Sequence, residues 1–196
     1  NKGVVLSQFG HYKDAIKELD NAIRLDPFNP AYHYNKATSL GKLGRYEEAL
    51  QEIRAATRWL FVTQIPPRRP PDPNSVGGYY INEALILQGL GRYEEALKFF
   101  DEAIRLRPND PLPHYDKAVL LYRLGRYEEA VREYDKAISL DPKNSLDHHG
   151  KAAALTKLNR YHKGIKEVDA GGKSNPRKQT SCMRQCLALV TLSRSA

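Results

Sequence analysis

Few side chains in this sequence have the types and spacing that catalysis requires. Acidic pairs recur at regular intervals: Glu47-Glu48, Glu94-Glu95 and Glu128-Glu129. Each pair opens a predicted helix, where acidic side chains complement the helix dipole, so we interpret the pairs as structural. His148 and His149 are adjacent, and neighbouring helical residues point about 100° apart, which suits shared metal binding poorly. With no phosphate loop, nucleophile elbow or metal motif in the sequence, we predict a protein that is not an enzyme and needs no cofactor.

Cysteines and charge narrow the class of protein further. Cys182 and Cys186 are too few for a disulfide framework or a cysteine-rich metal site, so we interpret them as reduced thiols. The net charge is +8, and all of this excess lies in residues 151–196, which hold ten basic and two acidic side chains. Such a block attracts phosphate backbones or acidic partners, or it is simply a solvated end.

The elements that carry these residues repeat along the chain. A residue suited to the left-handed conformation recurs every 34 residues, except for one interval of 47. Glycine adopts that conformation freely and asparagine tolerates it, so each marks the end of a helix. The five positions are Gly10, Gly44, Gly91, Gly125 and Asn159. The spacing predicts a helical repeat array with a 13-residue insertion in its second interval.

Further columns of the repeat have a physical reason of their own. Three columns hold small side chains, which allow two helices to approach closely. They are Gly3, Ala37, Ala84, Ala118 and Ala152; Ala15, Ala49, Ala96, Ala130 and Gly164; and Ala22, Ala56, Ala103, Ala137 and Gly171. A tyrosine opens each second helix and a proline usually stops it, since proline cannot continue a helix. These residues are Tyr12, Tyr46, Tyr93, Tyr127 and Tyr161, and Pro27, Pro108, Pro142 and Pro176.

Together these columns resemble the tetratricopeptide repeat (TPR), and the resemblance covers roughly residues 1–176. It implies an all-α, right-handed superhelical solenoid of about five helix-turn-helix repeats with a C-terminal capping helix. We expect repeats at residues 1–29 (lacking its start), 30–63, 77–110, 111–144 and 145–178. Residues 179–196 form a basic C-terminal segment in which we place the possible capping helix. The chain begins partway into a first helix, so we expect it to be a piece of a longer protein.

Two regions depart from the repeat pattern. Residues 64–76 hold five of the twelve prolines, which predicts an extended or polyproline-like loop. We interpret this loop as a spacer, and the alternative is a ligand for an SH3 or WW domain through Pro67 and Pro70. Before the loop, the second helix of repeat two should continue through Val62. In repeat five, glycines within the second helix predict an early helix end near Asp169.

The resemblance implies a binding surface on the first helices of the repeats, where the family binds extended or helical peptides in a concave groove. Tyrosine, aliphatic and amide side chains suit a peptide, because rings give apolar area and amides pair with a backbone. The candidate groove residues are Tyr34, Asn35, Thr38 and Lys42; Ile81, Asn82, Leu85 and Gln88; and Tyr115, Asp116, Val119, Tyr122 and Arg123, to which repeat five adds His149. The Lys, Asn and Arg clamp with which one branch of the family binds chaperone tails is incomplete here.

The sequence therefore predicts a protein–protein interaction scaffold with a protein or peptide partner. The second-ranked hypothesis is binding of nucleic acid or an acidic partner through the basic C-terminal end, with affinity that falls steeply with salt. A third is the targeting arm of a larger enzyme, such as a glycosyltransferase. No apolar run has the roughly 18 residues of a membrane span, and we expect a cytoplasmic protein. The sequence leaves the oligomeric state open.

Overall fold

The computed structural model describes residues 2–62 and 71–174. Within these residues the chain forms helices and no strand, which confirms the predicted all-α class. The ten helices are α1 (Lys2–Gln8), α2 (Tyr12–Leu25), α3 (Pro30–Lys42), α4 (Tyr46–Val62), α5 (Pro73–Gly89), α6 (Tyr93–Leu106), α7 (Pro111–Arg123), α8 (Tyr127–Leu140), α9 (Ser145–Lys157) and α10 (Tyr161–Ser174). In this part of the chain, no helix has the length and apolar character needed to cross a membrane.

The helices form five helix-turn-helix pairs in two compact units. Unit 1 comprises residues 1–108 and contains α1 to α6, whereas unit 2 begins at Asn109 and contains α7 to α10. Within unit 1, α2 packs on α3 and α4 packs on α5; within unit 2, α8 packs on α9. Each pair thus buries its apolar face against the next pair of its own unit, as in a solenoid.

The turns within the pairs follow the prediction from the glycine column. Gly10, Gly44, Gly91 and Gly125 have φ between 74° and 81°, and Asn159 has φ 58°. In each turn the next residue donates its backbone N–H to a carbonyl of the last helical turn, for example Arg45 to Leu40 at 3.0 Å. This bond closes the helix end only if the turn residue is left-handed, which explains why glycine recurs there.

First helices begin at a side-chain cap. Asn29, Asp72, Asp110 and Asn144 each accept a hydrogen bond from a backbone N–H two or three residues later. Proline follows the first three caps, at a helix position where its missing N–H costs nothing. The start of these helices is therefore set by local chemistry.

The small-residue columns form the centre of each unit's packing. All fifteen positions are buried except Ala22, which is partly exposed. A Cβ atom added to Gly3 would lie 2.8 Å from Leu19 Cγ, so the leucine would have to move to admit it. Large side chains such as Leu19, Ile53 and Phe100 fill the space between the small ones and are completely buried. The interpretation of these columns as close helix contacts is confirmed.

Two predicted boundaries are wrong and one is confirmed. Helix α4 runs to Val62 as expected. Helix α5 begins at Pro73 rather than at residue 77, because Asp72 caps it and accepts from Ser75 N at 3.0 Å. Helix α10 continues past Asp169 to Ser174, since Gly171 lies against His148, where a Cβ would come within 2.8 Å of His148 Cβ. Tertiary packing thus retains a helix that glycine weakens.

Several predictions fall on residues outside the described ranges. They concern the proline-rich loop up to residue 70, Cys182 and Cys186, and the possible capping helix in residues 179–196. The described part includes residues 151–174 of the basic block. There the amine of Lys151 bonds Asp135 and Glu167 at 2.7 and 2.5 Å. This lysine therefore contributes to the packing between helices.

Candidate functional site

The predicted groove residues lie on the first helices α3, α5 and α7, with His149 on α9. Two pairs of tyrosine rings stand out among them and their neighbours. The first tyrosine pair is Tyr34 on α3 with Tyr79 on α5, in unit 1, and their ring centroids are 4.7 Å apart. The second tyrosine pair is Tyr115 on α7 with Tyr134 on α8, in unit 2, at 6.1 Å. Each pair ties two helices of its unit together through an aromatic contact.

The first tyrosine pair is partly buried and lies near a cation. Burial raises the pKa of Tyr34, and the positive charge of Arg107 opposes that shift. Burial also raises the pKa of Tyr79, with a smaller contribution from Tyr34. The aliphatic part of Arg107 crosses Gly77, where a Cβ atom would lie 2.4 Å from Arg107 Cδ. Glycine at this position therefore allows the arginine to reach the tyrosines.

Amide and hydroxyl groups lie next to the first pair. Asn82 on α5 donates to the hydroxyl of Thr38 on α3 at 2.8 Å, and Thr38 donates to the backbone carbonyl of Tyr34 at 3.0 Å. Asn35 instead donates to the carbonyl of Ala31 in its own helix, at 2.6 Å. Thus the structure brings Tyr34, Thr38 and Asn82 together and turns the amide of Asn35 onto its own backbone.

The remaining predicted residues of unit 1 differ in accessibility. Lys42 and Leu85 are exposed, and Gln88 is partly buried. Ile81 is only 7% exposed, so its expected place on the accessible surface is wrong. Helix α5 packs on three helices, α3, α4 and α6. These neighbours bury side chains on more than one face of α5. Ile81 contributes to the core of unit 1.

In unit 2, glycine makes room for the second tyrosine pair. A Cβ atom at Gly150 on α9 would lie 2.4 Å from Tyr134 Cζ, so the ring lies directly on the backbone of α9. Tyr134 is 3% exposed, whereas Tyr115 is partly exposed. Tyr122 packs edge-on against Tyr127 with centroids 5.4 Å apart. The predicted residues Val119 and Arg123 are partly buried and exposed, respectively.

Two carboxyl groups on the first helices of unit 2 have raised pKa values. Burial raises the pKa of Asp116 to about 6, and the negative charge of Asp110 adds to the shift. Burial also raises the pKa of Asp147 to about 6; the negative charge of Asp141 adds to this shift, while the charge of His148 opposes it. Asp147 is completely buried, and neither of its carboxylate oxygens has a hydrogen-bond partner among the described residues. This unit thus contains desolvated carboxylates, a condition that proteins usually avoid.

A polar cluster that the sequence interpretation missed joins the helices of three pairs. In the pair α3–α4, Glu52 accepts from His33 Nδ1 at 2.7 Å and from Lys36 Nζ at 2.6 Å. Equivalent clusters are His114, Lys117 and Glu133 in α7–α8, and His148, Lys151 and Glu167 in α9–α10. Lys36 also bonds Asp20 on the preceding helix α2 at 2.7 Å. The identical 34-residue spacing of His114 and His148 would have revealed the column.

In two of these clusters the neighbouring cations favour the ionised carboxylate, which stabilises the packing of the first helix on the second. Burial alone would raise the pKa of Glu133, but His114, Lys117 and Lys136 lower it to about 2. In the third pair the cluster is replaced: Tyr80 packs against Phe99 with centroids 5.6 Å apart. Glu83, in the column of the lysines, bonds Arg54 on α4 at 3.1 Å instead. In the first pair, Lys2 and Glu18 occupy the positions of the cluster's lysine and glutamate and bond each other at 2.6 Å. The helices are therefore joined by apolar rings in the third pair and by charged groups in the other four.

An open cavity of about 430 Å³ lies elsewhere in unit 1, between α4 and the turn that precedes α6. It is lined by Glu47, Leu50, Gln51, Arg54, Leu90 and Arg92. Both arginines already bond carboxylates, Arg54 with Glu83 and Arg92 with Glu95. No predicted groove residue lines the cavity. Among residues 2–62 and 71–174, no group of three or more His, Cys, Asp or Glu side chains is placed to hold a metal ion.

Comparisons with known proteins agree on the family. Residues 1–60 and 81–145 match the family profile described as tetratricopeptide repeat. The TPR repeat-containing thioredoxin TTL4 of Arabidopsis thaliana is 45% identical over 56 residues, which are 29% of this chain and 8% of that protein. The chain therefore corresponds to a small part of this relative.

Two solved structures have the same fold at low sequence identity. MamA superposes with a TM-score of 0.74 at 15% identity and covers 91% of this chain and 96% of its own. YrrB, described as a TPR protein with an unusual peptide-binding site, superposes with a TM-score of 0.64 at 18% identity and covers 89% and 83%. The predicted solenoid class is confirmed by the helix pairs and by these similarities. The chain belongs to the tetratricopeptide repeat family.

Proposed function

We propose that this chain is an interaction scaffold that binds a peptide segment of another protein on the first helices of its repeats. The surface in unit 1 is formed by α3 and α5, and the surface in unit 2 by α7 and α9. Membership of a repeat family and the structural similarity to YrrB, a protein described as having a peptide-binding site, support an interaction role. The site itself is proposed from the side chains that these helices present.

The observation that carries the proposal is the combination of aromatic and polar groups on these helices. Tyr34 and Tyr79 are partly exposed rings that offer apolar area, and their contact holds them in place at little entropic cost. Beside them, the hydrogen-bonded Asn82 and Thr38 retain polar capacity, since an amide has more donors and acceptors than one bond uses. A peptide backbone needs both kinds of group.

A peptide library tests this proposal directly. Random peptides of about twelve residues, displayed on phage, are selected on the immobilised whole chain, because peptide recognition by such grooves needs only a short segment. We expect selected peptides to bind the Asn82→Ala variant about tenfold more weakly than the unmodified chain. Lys98→Ala is the matched control, since Lys98 is an exposed residue on the second helix α6 of the same unit. The selected peptides should bind this variant as tightly as they bind the unmodified chain.

Two results would count against the proposal. Selection that enriches no peptide would show that the surface does not bind peptides. Peptides that are insensitive to Asn82→Ala but lost at about 0.5 M salt would point to the basic C-terminal block, since such binding weakens steeply with ionic strength. Thermal unfolding of each variant separates lost binding from lost folding.

A further inference from the structure

Both ring nitrogens of His33 face an oxygen atom. Nδ1 lies 2.7 Å from the carboxylate oxygen Oε2 of Glu52 on α4, and Nε2 lies 3.0 Å from the backbone carbonyl of Pro27, in the turn between α2 and α3. A neutral imidazole has one N–H and one lone pair, whereas an imidazolium ring has two N–H donors. His33 is only 8% exposed, so little solvent reaches the ring. Two acceptor oxygens therefore call for the doubly protonated ring.

Unit 2 repeats this arrangement at His148. Its Nδ1 lies 2.9 Å from Glu167 Oε2 on α10, and its Nε2 lies 3.3 Å from the backbone carbonyl of Pro142, in the turn between α8 and α9. His148 is 7% exposed. Since both units have the same geometry, the contact belongs to the boundary between two repeats and is not peculiar to one ring.

A lysine in each cluster favours the ionised form of the carboxylate. Lys36 Nζ donates to the second oxygen of Glu52 at 2.6 Å, and Lys151 Nζ donates to the second oxygen of Glu167 at 2.5 Å. Burial alone would raise the pKa of Glu167, but the hydrogen bonds from Lys151 and His148 lower it. An ionised carboxylate holds no proton, so the proton shared between acid and ring belongs to the ring.

The charged groups around His33 come from three helices. Glu52 lies on α4 and Lys36 on α3, and Lys36 also bonds Asp20 on α2 at 2.7 Å. The ammonium group repels a protonated ring, but the carboxylate of Asp20 offsets that repulsion. With the ring protonated, two carboxylates face two cations, and a balanced group of charges is less costly to bury.

The surroundings of His148 are more acidic. Glu167 lies on α10 and Lys151 on α9, and Lys151 also bonds Asp135 on α8 at 2.7 Å. Asp147 precedes His148 on α9, and the positive charge of His148 opposes the rise in the pKa of this carboxyl. Three acidic groups and one lysine therefore surround the ring, and a protonated histidine reduces the excess of negative charge.

We propose that His33 and His148 carry both ring protons in the folded chain at neutral pH, and that each imidazolium joins a first helix to its second helix and to the turn before it. The two boundaries are α2–α3 and α8–α9. When pH rises and the ring loses its second proton, one nitrogen presents a lone pair to an oxygen, and that hydrogen bond is lost. Acid therefore tightens the boundary between these repeats, and base loosens it.

The third helix pair provides the internal contrast. Tyr80 and Phe99 stand in the columns of the histidine and the glutamate, and their rings pack with centroids 5.6 Å apart. Glu83 and Arg54 stand in the columns of the lysine and of Asp20 with exchanged charges, and they bond each other at 3.1 Å. Rings without a titratable nitrogen replace the histidine here, so this boundary does not depend on a histidine proton.

NMR of the histidine rings tests the protonation directly. The whole chain is produced with ¹⁵N-labelled histidine, and the ring nitrogens are followed as pH rises, with single His→Gln variants to assign the signals. The two nitrogens have similar shifts in an imidazolium ring and widely separated shifts in a neutral ring. At about pH 7.5 we expect the imidazolium pattern for His33 and His148, and the neutral pattern for the exposed His11 and His162.

Glu167→Gln separates the effect of the carboxylate from that of burial. The amide oxygen still accepts a hydrogen bond but carries no charge, so His148 should lose its second proton about one pH unit lower than in the unmodified chain. His33 in the same molecule should be unchanged. Glu128→Gln is the matched control, because Glu128 is an exposed carboxylate on α8 of the same unit, and it should leave both rings unchanged. Circular dichroism verifies that both variants are folded.

Urea unfolding measures the contribution to stability. A ring that is protonated in the folded chain and neutral in the unfolded chain makes the folded state bind more protons, so stability falls as pH rises. The contribution is complete at acid pH, where both states are protonated, and it is lost once the folded ring gives up its proton. We measure it above the range near pH 6 in which Asp147 titrates.

His33→Phe removes the proton and keeps a ring in a column that already holds Tyr80. For each pH unit above neutrality, the unfolding equilibrium constant of the unmodified chain should rise by up to about tenfold more than that of His33→Phe, until the folded ring is neutral. An equal rise in both proteins would show that the proton does not hold the boundary, and would refute the inference.

Two NMR results would also overturn it. A neutral pattern for His33 and His148 at about pH 7.5, as for the exposed histidines, would show that the rings are not doubly protonated. An imidazolium pattern of His148 that persists unchanged in Glu167→Gln would show that the carboxylate does not hold the proton. Both results stand even if His33→Phe fails to fold, and neither depends on whether the chain binds a peptide.

Discussion

The two units of this protein present the same repeat positions with different charge. In unit 1, Asn82 is hydrogen-bonded to Thr38, and Arg107 lies near the first tyrosine pair. In unit 2, the corresponding first helices carry Asp116 and Asp147, and burial raises the pKa of each to about 6. The packing columns do not differ in this way, since the alanines of both units are buried at equivalent positions, apart from the partly exposed Ala22.

This difference shows at which repeat positions the side chain can vary while the fold stays the same. Small residues between helices are fixed by the distance of closest approach, so any larger side chain is excluded. The first-helix column of Asn35, Asn82, Asp116 and Gly150 varies more, since it holds an amide in unit 1 and a carboxylate or no side chain in unit 2. At Gly150 the ring of Tyr134 takes the space that a Cβ atom would need. Variation in binding chemistry is therefore compatible with a constant fold.

The largest expected effect compares one ring from each pair. Tyr134→Ala should lower the free energy of unfolding by about 3–5 kcal/mol, because the ring is 3% exposed and its loss leaves a cavity against α9. Tyr34→Ala should cost less, about 1–2 kcal/mol, since Tyr34 is partly exposed. Urea unfolding measures both, and hydrogen exchange locates the loss in α7 to α9 for Tyr134→Ala. Equal costs would mean that the two pairs are buried alike.

The second prediction concerns the carboxyl of Asp147, which has no hydrogen-bond partner in the part of the chain that the structure describes. Its folded pKa of about 6 lies above the ordinary value of 3.8, so the native state holds the proton more tightly than the unfolded state. The resulting stability is present below about pH 4 and is lost as pH rises through 6. Asp147→Asn should therefore raise the free energy of unfolding by up to about 3 kcal/mol near pH 8 and give no gain near pH 4.

A paired carboxylate in the same unit serves as the control for that prediction. The pKa of Glu133 is lowered to about 2 by His114, Lys117 and Lys136, so its contribution is present above about pH 4.5 and is lost on acidification. Glu133→Gln should therefore destabilise the protein at neutral pH, with the opposite sign to Asp147→Asn. Urea unfolding of both variants from pH 4 to pH 8 gives the comparison. The same sign for both variants would refute the description of Asp147 as uncompensated.

The smallest expected effect concerns the amide network of unit 1. Asn82→Ala should lower the free energy of unfolding by about 1 kcal/mol, because it removes the bond that joins α5 to α3. Asn35→Ala should be near neutral, since the amide of Asn35 bonds only its own helix. Thermal unfolding of both variants gives the answer, and a loss for Asn35→Ala as large as that for Asn82→Ala would contradict the proposed role of the Asn82–Thr38 bond.

Much of the fold could be predicted because its signals are local. Gly44 and Asn159 mark turns through their own backbone preference, and tyrosines such as Tyr46 open the second helices as predicted. The early start of α5 at Pro73 could also have been predicted from the sequence, since an Asp-Pro step places a cap before a favoured first helical residue. The continuation of α10 could not be predicted, because the contact between Gly171 and His148 exists only after folding.

The candidate site could be predicted only in part. The helical period places Tyr34 and Asn82 on first helices, but the hydrogen bond between Asn82 and Thr38 joins residues 44 positions apart. Burial of Ile81 depends on three neighbouring helices, which no single period reveals. The lack of a hydrogen-bond partner for Asp147 among the described residues likewise depends on which groups the other helices place beside it. Sequence spacing identifies the face of a helix, and packing decides which groups on it are accessible.

The most direct test of the account is to map where a peptide binds. The whole chain is labelled with ¹⁵N and titrated with a peptide selected from the library, and amide shifts are followed by NMR. We predict that the shifts concentrate on first helices, at residues such as Tyr34, Asn82, Tyr115 and Asp116. Shifts confined to second helices, for example around Lys98, or to residues 175–196, would contradict the proposed binding surface.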